Sequence, residues 1–339
     1  MVHYYGGSEE HSLLVPKIMK ESRISKKYVK STYIPSLFSL TKDIIRIKPN
    51  YIIFRDLSIT SLCSIAISLI VNKDAKRILY TQNSVYLTKN DTLRNKIKNK
   101  YYSFFYNRLI CYSPVMFENY FDKNPENVLF ENKLNFVPLI SDIPQKITSR
   151  EYLKDRKINI LSVGKFRDYK NHYLLVDAFS QLSENDKKEF NVTIIGEAQS
   201  PSELEYMNNF KRYIQKFNLQ QYFSLLKNVD YKEMENHYFK NDVFVLTSKR
   251  EVASIALIES MAHGMVPIST SQNGTSTYID ESNGFIFESN NSLELCKILK
   301  NLINRKKEIR IMGLNSFNHI EKNYTEKNFI KKFNEVIEI

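Results

Sequence analysis

The chain has 339 residues, which is longer than a single domain usually is, so we expect two domains that each bury a core of their own. Hydrophobic residues make up 42% and charged residues 25%, as in ordinary soluble globular proteins. The net charge is +12, and the first 150 residues hold 23 Lys and Arg against 12 Asp and Glu, so the first half carries nearly all of the excess. Its partner is therefore expected to be anionic: a lipid surface, a phosphate-linked acceptor or nucleic acid.

Cysteine usage and hydropathy exclude further classes of protein. Cys63, Cys111 and Cys296 are widely separated and form no Cys-x-x-Cys pair, so a paired-cysteine metal or redox site is excluded and a reducing cytoplasm is expected. The opening residues are not typical of a signal peptide, and the longest uncharged run, Ile59 to Val71, is too short to span a bilayer. We expect that run to form a helix buried inside the first domain.

Strands and helices alternate through the first half of the chain. A very short strand, a glycine turn at Gly6-Gly7 and a helix over residues 8–21 come first. Further strands are predicted at 27–34, 49–54, 77–82, 109–112 and 128–137, with one helix ending at 48 and others spanning 59–71 and 113–121. Such alternation is typical of a doubly wound parallel sheet. Pro144 and its polar neighbours predict an interdomain linker within residues 142–156.

The stretch from Arg94 to Arg108 combines five cationic residues with five aromatic ones. Aromatic rings at headgroup level and cations facing anionic lipids are typical of a membrane interface. The alternative is a helix whose aromatic side chains face the core while its lysines face water. Both interpretations remain open on the sequence.

The second half starts with a clear strand, Ile158–Val163, and a basic loop. Apolar runs predict further strands at 192–196, 222–226, 243–246 and 266–270, and helices are predicted at 173–182, 202–217 and 231–239. Between the strands at 243–246 and 266–270 we predict a crossover helix that follows Ser254, a typical N-cap residue, and that ends at Gly264. Towards the C-terminus, after the last strand, the chain is expected to be helical.

Ligands of parallel sheets bind beyond the carboxyl ends of the strands, which points to the loop 247–254 and the helix start after it. Because Ser254 caps this helix, the amides around Ser254 and Ile255 are expected to be free donors for a phosphate, aided by the helix dipole. Glu251 lies in the loop, and Glu259 follows one turn after Ile255 on the same face, within reach of a polar group of the ligand. The alternative is a solvated helix with one loop carboxylate.

The spacing Glu251-x7-Glu259, with Ala262, Gly264 and Pro267 after it, resembles the signature of the retaining glycosyltransferases of family 4. That family has the GT-B fold, an α/β architecture in which two Rossmann-like doubly wound domains face a cleft. The resemblance implies that Glu259 holds the ribose of a nucleotide sugar and that Glu251 contacts the sugar near the reacting carbon.

The donor side of the resemblance extends to other segments. Lys165 occupies a position where the family usually has arginine, and Lys170 matches the family's lysine. The resemblance therefore implies that both cations bind the donor diphosphate. The resemblance also places the nucleobase near the loop at Asn228 and the turn at Gly274 near the diphosphate. The predicted donor site therefore consists of Lys165, Lys170, Asn228, Ser254, Ile255, Glu259 and Gly274, with Glu251 and Lys170 as its catalytic residues.

The acceptor side of the resemblance is carried by the start of the chain. Gly6, Gly7 and Glu9 match a family turn that lies at the cleft, against donor and acceptor. Where the family often carries a histidine after a later strand, this chain has Gln82-Asn83. No role in acceptor binding is carried over to that position.

The resemblance implies a retaining glycosyltransferase that moves a sugar from a nucleotide diphosphate sugar to a glycan or lipid-linked acceptor, as in bacterial capsule or surface polysaccharide synthesis. No cofactor other than the donor substrate is expected, and no metal, because the chain contains no Asp-x-Asp triplet. The expected domains are residues 1–145, a linker at 146–157, a donor domain at 158–315 and a last helix at 316–339 that packs on the first domain. A cytoplasmic location is expected, with the basic first domain peripheral to the inner face of the cell membrane.

Three other functions compete with this interpretation. A nucleotide-sugar epimerase of the same fold would also bind a nucleotide between two domains, and a non-catalytic partner protein would keep the fold without the reaction. A nucleic-acid binder is suggested only by the basic first half. Since the chain has no recognisable nucleic-acid recognition motif, we do not expect a nucleic-acid partner.

Overall fold

The computed structural model describes residues 2–3, 25–26, 41–54, 59–80, 93, 96–97, 100, 110–113, 134–136, 138–144, 147, 150–251 and 253–338. They belong to two compact units. The first unit contains the described residues up to Pro138 and those from Glu326 onwards, and the second contains those of Leu139–Thr325. Each unit is built on strands that pair in parallel.

The first unit contains two groups of strands. Its strands are β1 (Val2–His3), β2 (Ser25–Lys26), β3 (Tyr51–Phe54), β4 (Lys76–Tyr80), β5 (Ile110–Ser113) and β6 (Leu134–Phe136). β1 pairs with β2, and the other four form a sheet in the order β3-β4-β5-β6. Residues 41–47 are helical, and helix α1 (Ile59–Val71) connects β3 to β4.

The buried side chain of Arg77 joins α1 to β4. Its Nε donates to the Ser68 hydroxyl at 2.8 Å, and its Nη2 donates to the carbonyls of Ser68 and Asn72 at 2.7 and 2.6 Å. Nη1 donates to the Ala75 carbonyl at 2.6 Å. The guanidinium therefore adds hydrogen bonds to carbonyls at and just after the end of the helix, where a positive charge is also favoured by the helix dipole.

The second unit is a six-stranded sheet with helices on both faces. Its strands are β7 (Ile158–Val163), β8 (Phe190–Gly196), β9 (Phe223–Lys227), β10 (Val243–Leu246), β11 (Val266–Thr270) and β12 (Phe285–Phe287). Its helices are α2 (Tyr173–Ser180), α3 (Glu184–Lys187), α4 (Pro201–Lys216), α5 (Tyr231–Lys240), α6 (Ile255–Ala262), α7 (Ser292–Asn304) and α8 (Ile309–Asn323). A last helix, α9 (Glu326–Glu338), belongs to the first unit.

The strand order β12-β11-β10-β7-β8-β9 fixes where a ligand is expected. The chain runs from β7 outward to β8 and β9 and then returns to β10 on the other side of β7. The direction of winding therefore reverses between β7 and β10, and open parallel sheets bind ligands beyond the carboxyl ends of the strands at such a point.

Two hydrophobic cores cover the two faces of this sheet, because successive residues of a strand point to opposite sides. Ile160 of β7 and Val245 of β10 belong to one core. Leu161 and Phe244, their neighbours in the chain, belong to the other core, together with Leu257 of α6. Burial on both faces explains why β10 is a continuous apolar run and why β7 is apolar at most of its positions.

Several predicted elements are confirmed. Strands β7, β10 and β11 have the predicted boundaries, and α6 follows Ser254 and ends before Gly264, whose φ of +74° suits a glycine after a helix. Strand β6 is shorter within the described residues than the predicted 128–137. The predicted burial of α1 is wrong in part, since Ile70 near its end is 76% exposed while Ile65 is fully buried.

Some predictions fall outside the described residues. These are the turn at Gly6, Gly7 and Glu9, the position Gln82-Asn83, the strand at 27–34, the helix at 8–21, the helix at 113–121 apart from Ser113, which ends β5, and most of the stretch 94–108. Within that stretch Lys96, Ile97 and Lys100 are described, and each is helical and exposed. Among the described helices, none has the combined length and apolar character needed to cross a membrane.

The residues before β7 are fastened to the second unit. The Arg150 guanidinium donates to the Tyr238 carbonyl at 2.9 Å and also to the Asn241 carbonyl. The Tyr152 hydroxyl donates to the Gly264 carbonyl at 3.0 Å. The Asp242 carboxylate accepts the Leu153 amide at 2.8 Å and the Asn159 amide at 2.9 Å. The last part of the predicted 146–157 linker is thus packed against this unit.

Candidate functional site

The loops after β7 and β10 leave the same edge of the sheet, because these two strands are paired in parallel. The first loop carries Lys170 and the second carries Glu251. The Lys170 Nζ lies 2.6 Å from Glu251 Oε1, and the two side chains are only 11% and 14% exposed. Residues that are 81 positions apart in sequence therefore form a largely desolvated ion pair at the point where the sheet reverses its winding.

Local backbone geometry holds Lys170 in place. It ends a short 3₁₀ helix, Asp168–Lys170, and Asn171 follows in the left-handed region with φ of +49°. A β-carbon at Gly164 would lie 3.0 Å from Lys170 Cδ, so the glycine makes room for the lysine stem. The Thr247 hydroxyl donates to the Lys170 carbonyl at 2.9 Å and so ties the two loops together.

Glu251 is fixed through its side chain and its backbone. The Ser248 hydroxyl donates to Glu251 Oε2 at 2.7 Å, while Lys170 occupies Oε1. The Glu251 carbonyl accepts the Gly274 amide at 3.0 Å. Gly274 therefore lies against Glu251, as part of the turn that leads into a 3₁₀ helix, Gly274–Tyr278.

The start of α6 differs in one respect from the prediction. The Ser254 hydroxyl accepts the Leu257 amide at 3.3 Å, which confirms Ser254 as the N-cap. However, the Ser254 amide donates to the Thr275 hydroxyl at 3.3 Å, so it is not the free phosphate donor that was predicted. The next residue, Ile255, is 49% exposed.

Glu259 carries a carboxylate that two tyrosines contact. The Tyr231 hydroxyl donates to Oε1 at 2.9 Å and the Tyr238 hydroxyl donates to Oε2 at 2.7 Å. Burial raises the pKa of Glu259, and the hydrogen bonds from Tyr238 and Tyr231 act in the opposite direction. Both tyrosines lie on α5, seven residues apart and hence on one face of that helix.

The other predicted donor residues have partners within the second unit. Lys165 Nζ lies 2.8 Å from Glu197 Oε2, with side chains 37% and 34% exposed. Asn228, at a φ of +52°, accepts the Ala198 amide with its side-chain oxygen at 2.8 Å. The Asn228 side chain therefore links the loops after β8 and β9 and stabilises their conformation.

A buried histidine lies behind the basic loop. His172 directly precedes α2, is 2% exposed, and has its Nε2 3.4 Å from the Lys165 carbonyl. Burial lowers the pKa of His172 to about 4. In the residues that the structure describes, no cluster of three or more His, Cys, Asp or Glu side chains is placed to hold a metal ion.

Comparison with known proteins now identifies the family. The model of the family described as glycosyl transferases group 1 matches residues 145–319, which is more than half of the chain. The chain belongs to this family. In this group 1 glycosyl transferase, the matched region contains the Lys170–Glu251 pair, α6 and both tyrosines that contact Glu259.

Individual relatives are distant. A segment of 136 residues is 25% identical to the mannosylfructose-phosphate synthase of Agrobacterium fabrum, and it spans 40% of this chain but only 30% of that protein. A crystal structure of a glycosyltransferase from Rickettsia africae has a TM-score of 0.75 at 16% identity, covering 99% of this chain and 88% of the other. The Anabaena protein HepE, solved in complex with UDP, has a TM-score of 0.73 at 12% identity, covering 95% and 88%.

These structural neighbours confirm the predicted α/β fold of GT-B glycosyltransferases. Within the candidate site, the structure brings Lys170, Glu251 and Gly274 together, and it places Glu259 one turn into α6. Sequence reasoning missed Tyr231, Tyr238, Ser248 and Glu197. A seven-residue spacing of two tyrosines on the helix before β10 was the available signal for the first two.

Proposed function

We propose that this protein is a retaining glycosyltransferase of the family 4 type that transfers a sugar from a nucleoside diphosphate sugar. The observation that carries the proposal is the ion pair between Lys170 and Glu251 where the sheet reverses its winding, between β7 and β10. Glu259 lies on α6, the helix that follows Glu251. The eight-residue spacing of the two glutamates places one carboxylate in a loop and the other on the face of α6 that carries the exposed Ile255.

The proposed roles follow from the charge that develops in the reaction. The departing diphosphate gains negative charge as the glycosidic bond breaks, and a fixed cation aimed at that charge stabilises the transition state more than the ground state. Lys170 supplies this cation, and Lys165 supplies a second once it leaves Glu197. Glu251 positions the sugar near the reacting carbon, held in orientation by Ser248.

Glu259 is proposed to bind the ribose of the donor. A carboxylate accepts hydrogen bonds from hydroxyl groups, and here it already accepts two from tyrosines. The HepE protein was solved with UDP, and its likeness in fold supports a nucleoside diphosphate as the ligand class to test first. The backbone at Asn228 is the proposed neighbour of the base.

The acceptor is proposed to be a glycan or a lipid-linked glycan in capsule or surface polysaccharide synthesis. This proposal is supported by the excess of cations in the first 150 residues, which suits an anionic membrane surface. Sedimentation with vesicles tests it: more protein should sediment with anionic than with neutral vesicles, and the difference should shrink as salt increases. Equal sedimentation with both vesicle types contradicts the membrane part of the proposal.

The donor site is tested by thermal shift with UDP, GDP and ADP and their sugars, in the presence of a chelator. Wild type should be stabilised by one base, because a ligand that binds only the folded state raises its stability by mass action. Glu259→Ala should lose that shift, whereas Glu205→Ala, on an exposed position of α4, should keep it. If no nucleotide shifts the wild type, the proposed donor site is wrong.

The reaction is tested by product analysis. Incubation with the stabilising sugar nucleotide and acceptor glycans should release free nucleoside diphosphate only when an acceptor is present. Magnetic resonance of the product should show the anomeric configuration of the donor. Interconversion of the donor sugar without acceptor would instead favour the epimerase alternative.

A further inference from the structure

The two tyrosines that contact Glu259 are held in very different ways. Tyr238 is 2% exposed and belongs to the same buried core as Leu257 and Met261 of α6. Its ring centroid lies 4.9 Å from that of His263. Tyr231 is the first residue of α5 and is 63% exposed. Moving Tyr238 would open the core, whereas moving Tyr231 exchanges one hydrogen bond to the carboxylate for one to water.

The position of Glu259 explains why it has a second donor at all. Its carboxylate is largely buried, and a buried carboxylate without hydrogen-bond donors is strongly destabilising. Tyr238 satisfies the oxygen on the core side, and Tyr231 satisfies the other oxygen from the solvent side. A nucleoside that approached this carboxylate from solvent would therefore meet it on the Tyr231 side.

A tyrosine hydroxyl and a ribose hydroxyl offer a carboxylate the same interaction, a single O–H donor. A ribose presents two neighbouring hydroxyls, which together compete for the solvent side of both oxygens. Of the two donors already bound, only Tyr231 is free to leave without disturbing the core.

We propose that Tyr231 is a positioning residue that stands in for the ribose: its hydroxyl holds Glu259 before the nucleoside binds, and the ribose diol displaces it. The inference rests on the proposed donor site. It assigns Tyr231 a part in selectivity, because a nucleotide without the two hydroxyls has nothing with which to replace the Tyr231 bond. Tyr238 remains on Glu259 throughout and keeps the carboxylate oriented.

Calorimetric titration tests this with UDP and GDP and with the matching 2′,3′-dideoxynucleoside diphosphates. Tyr231→Phe removes the competing donor and keeps the ring. We expect Tyr231→Phe to bind the ribonucleotide about three- to tenfold more tightly, which corresponds to the net free energy of one hydrogen bond. Its affinity for the dideoxy form should be unchanged. Tyr238→Phe should bind the ribonucleotide more weakly, since it loses the donor that orients Glu259.

Tyr213→Phe is the matched control. The Tyr213 hydroxyl also donates to a carboxylate in the second unit, Asp177 Oδ1 at 2.6 Å, but away from the candidate site. Its loss should leave both affinities unchanged. Melting curves of all variants show whether each remains folded.

A spectroscopic measurement follows the displacement itself. The chain has no tryptophan, and the uracil of UDP absorbs mainly at shorter wavelengths, so with UDP the long-wavelength edge of the near-ultraviolet difference spectrum reports on tyrosines. The ribonucleotide should produce a shift of the tyrosine band in wild type that is missing in Tyr231→Phe. A purely structural Tyr231 would give the same difference spectrum in both.

The outcomes separate the inference from the proposed function. If wild type binds none of the nucleotides, the donor site is wrong and this inference falls with it. If wild type binds and Tyr231→Phe binds the ribonucleotide equally or more weakly, only the role of Tyr231 is overturned. An equal gain for ribo and dideoxy forms also overturns it, because the diol would then have no part in the displacement.

Discussion

The ion pair between Lys170 and Glu251 predicts a strong energetic coupling that can be measured without any substrate. At the 2.6 Å between Nζ and Oε1, the attraction is about 6 kcal/mol at an effective dielectric constant of roughly 20. Desolvation of both groups offsets a large part of this gain. Removing one partner leaves the other charge without compensation in a site that is only 11% to 14% exposed.

The expected values form a double-mutant cycle. Lys170→Met and Glu251→Gln should each destabilise the second unit by about 3 kcal/mol, at the low end for a broken buried pair because both side chains keep a small exposed fraction. The double variant should lose about the same amount as either single variant. The coupling is therefore about 3 kcal/mol, near the upper end for residues in contact.

Native-state hydrogen exchange of β7 and β10 is the suitable assay, because a chain of two units need not unfold in one step. The pair Lys249–Asp168 serves as a control, since its atoms are 2.7 Å apart but its side chains are 40% and 84% exposed. Its coupling should stay below about 1 kcal/mol. If the losses of unfolding free energy from Lys170→Met and Glu251→Gln simply add in the double variant, the ion pair is not formed in solution. Lys170 would then not be a preorganised cation.

Three further predictions concern other residues. Glu197→Gln should raise nucleoside diphosphate affinity about two- to fivefold in calorimetry, because it frees Lys165 from a partly exposed ion pair with Glu197. Unchanged affinity would show that Lys165 does not bind the diphosphate. Because the folded pKa of His172 is depressed from 6.5 to about 4, the unfolding free energy should fall by about 3 kcal/mol as the pH drops from 6.5 to 4. His172→Gln should flatten that part of a urea denaturation series, and an unaltered profile would show another group to be responsible. Arg77→Met should destabilise the first unit by about 3 kcal/mol and Arg77→Lys by less, as judged by hydrogen exchange of β4; equal losses would mean that the forked hydrogen bonds contribute little.

The fold of the second unit was largely predictable because its signals are local. Strand β10 is a continuous apolar run, β7 and β11 are apolar at most of their positions, and Ser254 and Gly264 mark the ends of α6 by their own conformational preferences. The exposure of Ile70 in α1 was not predictable, since an uncharged run does not say which of its residues a neighbouring element covers.

The sequence predicted which positions belong to the candidate site, but it did not predict which side chains contact one another there. The resemblance located Lys170, Glu251 and Glu259, yet the partners of these side chains come from packing between elements distant in sequence. Tyr231 is 28 residues from Glu259, and the two meet because α5 lies beside α6 in the fold. The Ser254 amide was expected to be free because local reasoning did not include Thr275, whose hydroxyl approaches from the turn after β11.

The anchored residues before β7 determine where this protein can be cut. A fragment that started at Ile158 would lack Arg150 and Tyr152, which leaves the carbonyls of Tyr238 and Gly264 without their donors. It would also delete the Leu153 amide that the buried Asp242 carboxylate accepts. A recombinant form of the second unit, or a chimaera that exchanges this unit between related transferases, should therefore carry residues 150–157 with it.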